Sequence, residues 1–167
     1  PAYRPLLTSQ RVRFVVAPNR VHHLYAGKVA DVYAESRLWI GPGLETKRPD
    51  LKYVAVLGDE APVEWRGQLD QTHFKGRPYE NEVVFFHRAS RTLVMCDLAF
   101  NFGPHAAPFT RLWMKVIRSY GRFGPSKLDP LLIRDRVAAR ESLQRILAWD
   151  FDRVVVAHGD VLESGGH

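Results

Sequence analysis

The sequence predicts an α/β fold in which mixed sheets carry helices packed against them. Three observations point there. Apolar strands alternate with segments of helical period at both ends of the chain. Between them, "NEVVFFH" (81–87) and "TLVMCD" (92–97) are two apolar runs joined by the short polar "RASR", the pattern of an antiparallel hairpin. The stretch "RVRFVVAP" (11–18) is continuously apolar from Phe14 to Ala17, which suits an interior strand covered on both faces.

Taken in order, strand 11–18 stops at Pro18 and runs into a loop holding His22 and His23. "HLYAGKVADVYAES" (23–36) places Leu24, Val29, Val32 and Tyr33 at helical spacing. "RLWIG" (37–41) is a short buried strand closed by "GPG", so these three elements form a βαβ unit. "LKYVAVLG" (51–58) is a further strand, and "VEWRGQLDQTHF" alternates in part, as a strand with one exposed face does. After the hairpin, "NFGPHAAP" (101–108) is a loop by its Gly and Pro content. "FTRLWMKVIRSY" (109–120) aligns Leu112, Trp113, Val116, Ile117 and Tyr120 on one face of an amphipathic helix. A second helix is expected over 129–150, with Asp129 as N-cap and Pro130 at the first helical position. Its buried stripe would be Ile133, Val137, Leu143, Ile146 and Leu147. "RVVVAHGD" (153–160) is a last apolar strand ending at His158.

The 167 residues suit one domain, 1–167, large enough to bury a core. No apolar run approaches the roughly 20 residues of a membrane helix, and no membrane partner is expected. The N-terminal "PAYRPLLTSQ" lacks a charged-then-apolar export pattern, and Cys96 has no second cysteine to pair with, so a cytoplasmic location is expected. A net charge of +6 favours anionic ligands. The basic residues are mixed with acids, however, and "RDRVAARESLQR" reads as a solvated helix face. A small anionic molecule is therefore a better expected partner than nucleic acid. The sequence is silent on oligomeric state.

Three strand ends carry groups that bind metals: His22 and His23 after the first, Asp97 at the end of 92–97, and His158 after 153–157. In open α/β sheets ligands gather beyond the carboxyl ends of strands. Imidazole and carboxylate together suit zinc, iron or manganese. Each residue also has a plainer use: a histidine after a strand can be a surface cap, and Asp97 can close an Asx turn. Adjacent histidines do not readily face one ion, so one of the pair is expected to ligate.

The stretches "APNRVHHLY", "FFHRASRTLVMCDLAFN" and "ILAWDFDRVVVAHGDVLESGG" resemble an uncharacterised bacterial family of the metallo-β-lactamase-fold superfamily, over about Arg11 to Gly166. The resemblance implies an αββα sandwich. Its first metal motif, His-x-His-x-Asp-His, falls on "PNRVHH", so Pro18 and Arg20 stand at the first two histidines, His22 at the aspartate and His23 at the last histidine. Asp97 matches the bridging aspartate and His158 the final histidine. Proline cannot ligate and arginine carries a fixed positive charge, so one half-site is lost. His73 and His87 are the mid-chain candidates for its remaining histidine. Superfamily members carry strands before this motif, where only some ten residues precede strand 11–18, so a shortened N-terminal side is expected.

The first functional reading is a metal-dependent hydrolase-like protein with a single divalent ion, zinc before iron or manganese, held by His22 or His23, Asp97 and His158. Asp160 would orient a ligand or act as general base. Arg88 and Arg91, with Arg20 and His87, would bind an anionic substrate group. The alternatives are an inactive member of the fold that binds a small anion or a partner, with Arg20 in the vacated cation position and no metal, and a nucleic-acid-processing protein.

Overall fold

A computed structural model describes residues 11–117 and 119–167. The stretch 1–10, in which no export signal is expected, and Arg118 of the predicted helix 109–120 lie outside the described residues. The first apolar run forms β1 (Phe14–Ala17), followed by α1 (Ala26–Val32) and β2 (Arg37–Ile40). β2 lies parallel to β1, with Phe14 opposite Arg37 and Ala17 opposite Ile40, which completes the βαβ unit. A short α2 (Leu44–Lys47) leads to β3 (Ala55–Val56), parallel to β2, giving a sheet ordered β1-β2-β3. The second sheet is ordered β4-β5-β6-β7, from β4 (Leu69–His73), β5 (Val83–His87), β6 (Thr92–Val94) and β7 (Arg153–Val155). Its first two pairings are antiparallel and the last is parallel. The helices α3 (Pro108–Val116), α4 (Asp129–Leu132) and α5 (Arg136–Leu147) occupy the chain between β6 and β7.

Side-chain alternation along these strands builds the layers. Val15, Ala17, Leu38 and Ile40 face outward, onto Leu44, Leu51 and the α1 residues Ala26, Val29 and Ala30. Their neighbours Phe14, Val16 and Trp39 face inward and meet Val83, Phe85 and Leu69 of the second sheet. Trp65 fills this interior, its ring edge-on to Trp39 and Phe14 at 5.0 and 5.1 Å between centroids. On the far side Val84, Phe86, Leu93 and Val154 pack with Ala139 and Ile146 of α5. The order is helix, sheet, sheet, helix. The continuous apolar runs at 14–17 and 83–86 are what a strand buried on both faces requires.

Several elements differ from expectation. Strand 51–58 reduces to two residues, flanked by the single bonds Val54 N–H to Leu38 O (2.8 Å) and Leu57 N–H to Ile40 O (2.8 Å). The segment before Leu69 turns instead of extending, because Trp65 and Arg66 both donate to the Pro62 carbonyl and Leu69 donates to that of Trp65. Helix 129–150 is two helices. Asp129 does not cap it: its carboxylate is buried, accepting from the Ser126 N–H and pairing with Arg77 at 3.1 Å. The chain then leaves helical geometry at Ile133 so that Arg134 and Asp135 can both donate to the Gly76 carbonyl, at 2.8 and 3.3 Å. Asp135 is the cap of the second helix, its Oδ1 accepting from Val137 and Ala138, each at 3.0 Å. This anchoring rotates α5. Ala139, Ser142 and Ile146 are buried, while Val137, Leu143 and Leu147 of the predicted stripe are exposed. In α3 the predicted inner face is also turned out, leaving Leu112, Trp113 and Val116 exposed.

Candidate metal centre

Asn19, wholly buried just beyond β1, sets the local geometry. Its Oδ1 accepts from the N–H groups of Val21 (2.9 Å) and His22 (2.6 Å), an Asx turn that fixes the loop and carries His22 inward. Its Nδ2 donates to Asp97 Oδ2 at 3.0 Å and to Glu82 Oε2 at 3.3 Å. Glu82, at the foot of β5, holds the exit of β6: its carboxylate accepts the N–H groups of Cys96 (2.5 Å) and Asp97 (2.8 Å). The Val83 N–H reaches the Pro18 carbonyl at 2.9 Å, so the two sheets are tied beside the site.

Asp97 sits at the centre. His22 Nδ1 lies 3.1 Å from Oδ2, and His158 Nε2 lies 3.2 Å from Oδ1. One ligand atom from each of the three residues falls within 4.8 Å of the others. The side chains are graded in exposure, at 13% for Asp97, 28% for His22 and 42% for His158, so the group opens to solvent on the histidine side. The His158 ring stacks near Phe100 and Phe102, at 5.9 and 6.5 Å between centroids, and inclines toward His22 at 5.2 Å. Its position depends on Gly159. At φ +117°, a Cβ there would lie 2.2 Å from the Asn101 carbonyl oxygen.

The electrostatics match this arrangement. Burial would raise the Asp97 carboxyl, but the hydrogen bonds from His158 and His22 bring it well below the usual carboxylate range, so it stays ionised. His22 is raised above an ordinary imidazole, by its bond to Asp97 working against burial. Glu82 is raised by burial, against the bonds it receives. The Cys96 thiol is pushed up by burial and by the Glu82 and Asp97 charges, which keeps it protonated.

The remaining sequence candidates lie elsewhere. His23 is buried but turned away, with Nδ1 3.1 Å from Arg48 Nη1. Burial, with Lys47 and Arg48 close by, lowers its pKa. Successive residues leave the chain in different directions, and the Asx turn commits His22 to the site. Arg20 donates to the Pro78 carbonyl at 2.9 Å and lies across Gly43. His73 Nε2 is 2.9 Å from Asn81 Oδ1. His87, Arg88 and Arg91 belong to the hairpin turn, whereas Asp97 is at the other end of the same strands, about 15 Å away at the rise of a β-strand. There His87 meets Ser90, Arg88 forks onto Asp70 with two bonds of 2.8 Å, and Arg91 pairs with Asp150 at 2.6 Å. Residues six to ten positions before Asp97 thus lie a strand's length from it, while the reversal brings Glu82 back to its side. Asp160 is held by its backbone to Asn101, and its carboxylate lies over Gly103. Asn19 and Glu82 were not singled out by sequence. Their only signals are an Asx-type residue directly after a strand and an acid directly before a buried one.

No protein-family model matches the chain, and no curated protein matches it. Solved structures do. The DIM-1 metallo-β-lactamase, from a crystal exposed to ceftazidime, superposes with a TM-score of 0.52 at 16% identity, covering 87% of this chain and 59% of that one. A metallo-β-lactamase from Hirschia baltica gives 0.55 at 12% identity, covering 92% and 64%. The metal-soaked flavodiiron core of Flv1 from Synechocystis gives 0.60 at 13% identity, covering 89% and 39%. The chain thus spans less than two thirds of each of these structures. The architecture is that of the metallo-β-lactamase fold, and identities this low speak to the fold alone.

Proposed function

We propose that this chain is a metal-dependent hydrolase-like protein with one ion, held by His22, Asp97 and His158. The observation that carries this reading is the meeting of two imidazole nitrogens and an ionised carboxylate within 4.8 Å, at the solvent-open end of the sheets. The donor set fits a divalent cation: two neutral nitrogens and one anionic oxygen, borderline in hardness, suit zinc first and iron or manganese next. When bound, the ion would supply Lewis acidity toward a carbonyl or phosphoryl oxygen. The chain's own residues do the rest. Asp97 brings a full negative charge. Asn19 and Glu82 fix its backbone and one of its oxygens. Phe100 and Phe102 stack beside the His158 ring and limit its tilt.

The test is elemental analysis of untagged protein beside His158→Ala and Asp97→Ala. About one equivalent of metal in the parent, lost in both variants, supports the reading. No metal in the parent after reconstitution with zinc, iron(II) and manganese(II) rejects it. One observation favours a second reading, a catalytically silent fold member: His22 and His158 already satisfy both oxygens of Asp97 by hydrogen bonds. The same measurement decides between the two.

A further inference from the structure

α3 is seated on the fold the wrong way round for a helix that only fills space. Thr110, Arg111, Met114 and Ile117, along the face opposite its exposed stripe, are half-buried. Phe109, Leu112, Trp113 and Val116, at the spacing i, i+3, i+4 and i+7, are 80%, 64%, 51% and 66% exposed. Four large apolar side chains on one stripe are more than scattered surface hydrophobes. Leu128 and Leu131, beside Lys127 in the chain, are also exposed. Beginning at Lys115 of α3 is a recess of about 480 Å³ lined by Lys115, Tyr120, Arg122 and Lys127. Lys115 Nζ stands 5.1 Å from the centre of the Tyr120 ring, and Arg122 donates to the Pro125 carbonyl at 3.0 Å. The sequence of this region is one-signed: residues 98–128 hold five lysines and arginines and no aspartate or glutamate.

We propose that α3 and the adjoining cationic recess form a docking surface for an anionic lipid bilayer. The helix would lie in the plane of the interface with Phe109, Leu112, Trp113 and Val116 among the acyl chains, and with Lys115, Arg122 and Lys127 among the headgroup phosphates. Charge selects this occupant. A second copy would bring the same cations face to face across the contact, whereas an anionic membrane neutralises them. Among the described residues no helix is long and apolar enough to cross a membrane, so the proposed attachment is to the surface, a membrane partner that apolar run length in the sequence did not lead us to expect. The inference is independent of the metal reading, since none of these residues touches His22, Asp97 or His158.

The test is co-sedimentation of the full chain with vesicles of phosphatidylcholine alone and with about 30% phosphatidylglycerol. The expected result is binding to the anionic vesicles only, released by about 0.5 M salt, with a blue shift of the tryptophan emission that Trp113→Phe abolishes. Lys115→Ala and Lys127→Ala, both at exposed positions, should each weaken partitioning about fivefold. Leu112→Asp should weaken it more than tenfold while circular dichroism stays that of the parent. Absence of binding at low salt overturns the proposal. So does equal binding to both vesicle types, or a parent dimer that Leu112→Asp splits while vesicles capture nothing.

Discussion

Asn19 does three jobs with one amide, and its removal separates them. The Asx turn aims His22, the bond to Asp97 orients the central carboxylate, and the bond to Glu82 satisfies a buried charge-capable group. Asn19→Ala leaves two backbone N–H groups and two carboxylate oxygens without that partner. We expect a loss of about 2–3 kcal/mol in urea unfolding and at least a tenfold weaker metal affinity by competition with a chelator. The two histidines beside it titrate in opposite senses. His22 is raised by Asp97, so its stabilising contribution is complete below its unfolded value of about 6.5 and is lost as pH rises through the higher folded value. His23 is lowered by burial and by Lys47 and Arg48, so it costs stability as pH falls below about 6.5. Around His22 the facing charged or titratable groups are Asp97, Glu82 and His158. The metal-free protein should therefore lose Tm on both sides of pH 6.5. His22→Asn should flatten the alkaline limb and His23→Asn the acid limb; a variant that flattens the opposite limb contradicts these assignments. Metal affinity should run the other way along the alkaline limb, rising as His22 gives up its proton.

Among the elements, the break between α4 and α5 shows where sequence reading stopped. Asp129 followed by Pro130, and Asp135 six residues on, both have the chemistry to begin a helix. Nothing local ranks them. The choice is made by Arg77, which takes the Asp129 carboxylate, and by the Gly76 carbonyl, which takes two N–H groups of the turn, both from residues more than fifty positions earlier. Gly76 is suited to this by φ +88°, and an added Cβ would fall 2.2 Å from the Asp135 oxygen. Gly76→Ala should thus cost about 2 kcal/mol or more, from strain and from displacement of the helix start. Asp135→Ala, which removes only the cap, should cost about 1 kcal/mol. If the two cost the same, the close approach at Gly76 is not what fixes the break. Strands were legible for the converse reason. The runs at 14–17, 38–40 and 83–86 are apolar enough to need cover on both faces, and that requirement is local. The outward face of α3 was not legible, because periodicity reports that a face is apolar and not which way it points.

At the scale of the whole molecule, the candidate centre is a clasp between sheets. His22 and Asn19 follow β1 of the first sheet, while Glu82, Asp97 and His158 belong to the ends of β5, β6 and β7 of the second. The sequence showed three of these ends, because imidazole and carboxylate at strand exits are conspicuous. It hid the pair that joins them, because Asn19 and Glu82 carry no distinctive spacing. Beside the clasp an apolar cleft of about 440 Å³ opens at the edge of the sheets, lined by Phe14, Val16, Phe85, Val94 and Met95 among others. A ligand bound only by the folded state stabilises it by mass action, about 2.7 kcal/mol at a hundred times Kd. Loading should therefore raise Tm, and a chelator should lower it again. In Asp97→Asn and His158→Ala the shift should vanish, because neither variant retains the full donor set. The diagnostic quantity is the hydrogen exchange of β1 relative to β6. If the clasp joins the sheets, metal slows exchange in both strands together, and slowing confined to the 95–101 segment would mean that the ion serves the loop and not the sandwich.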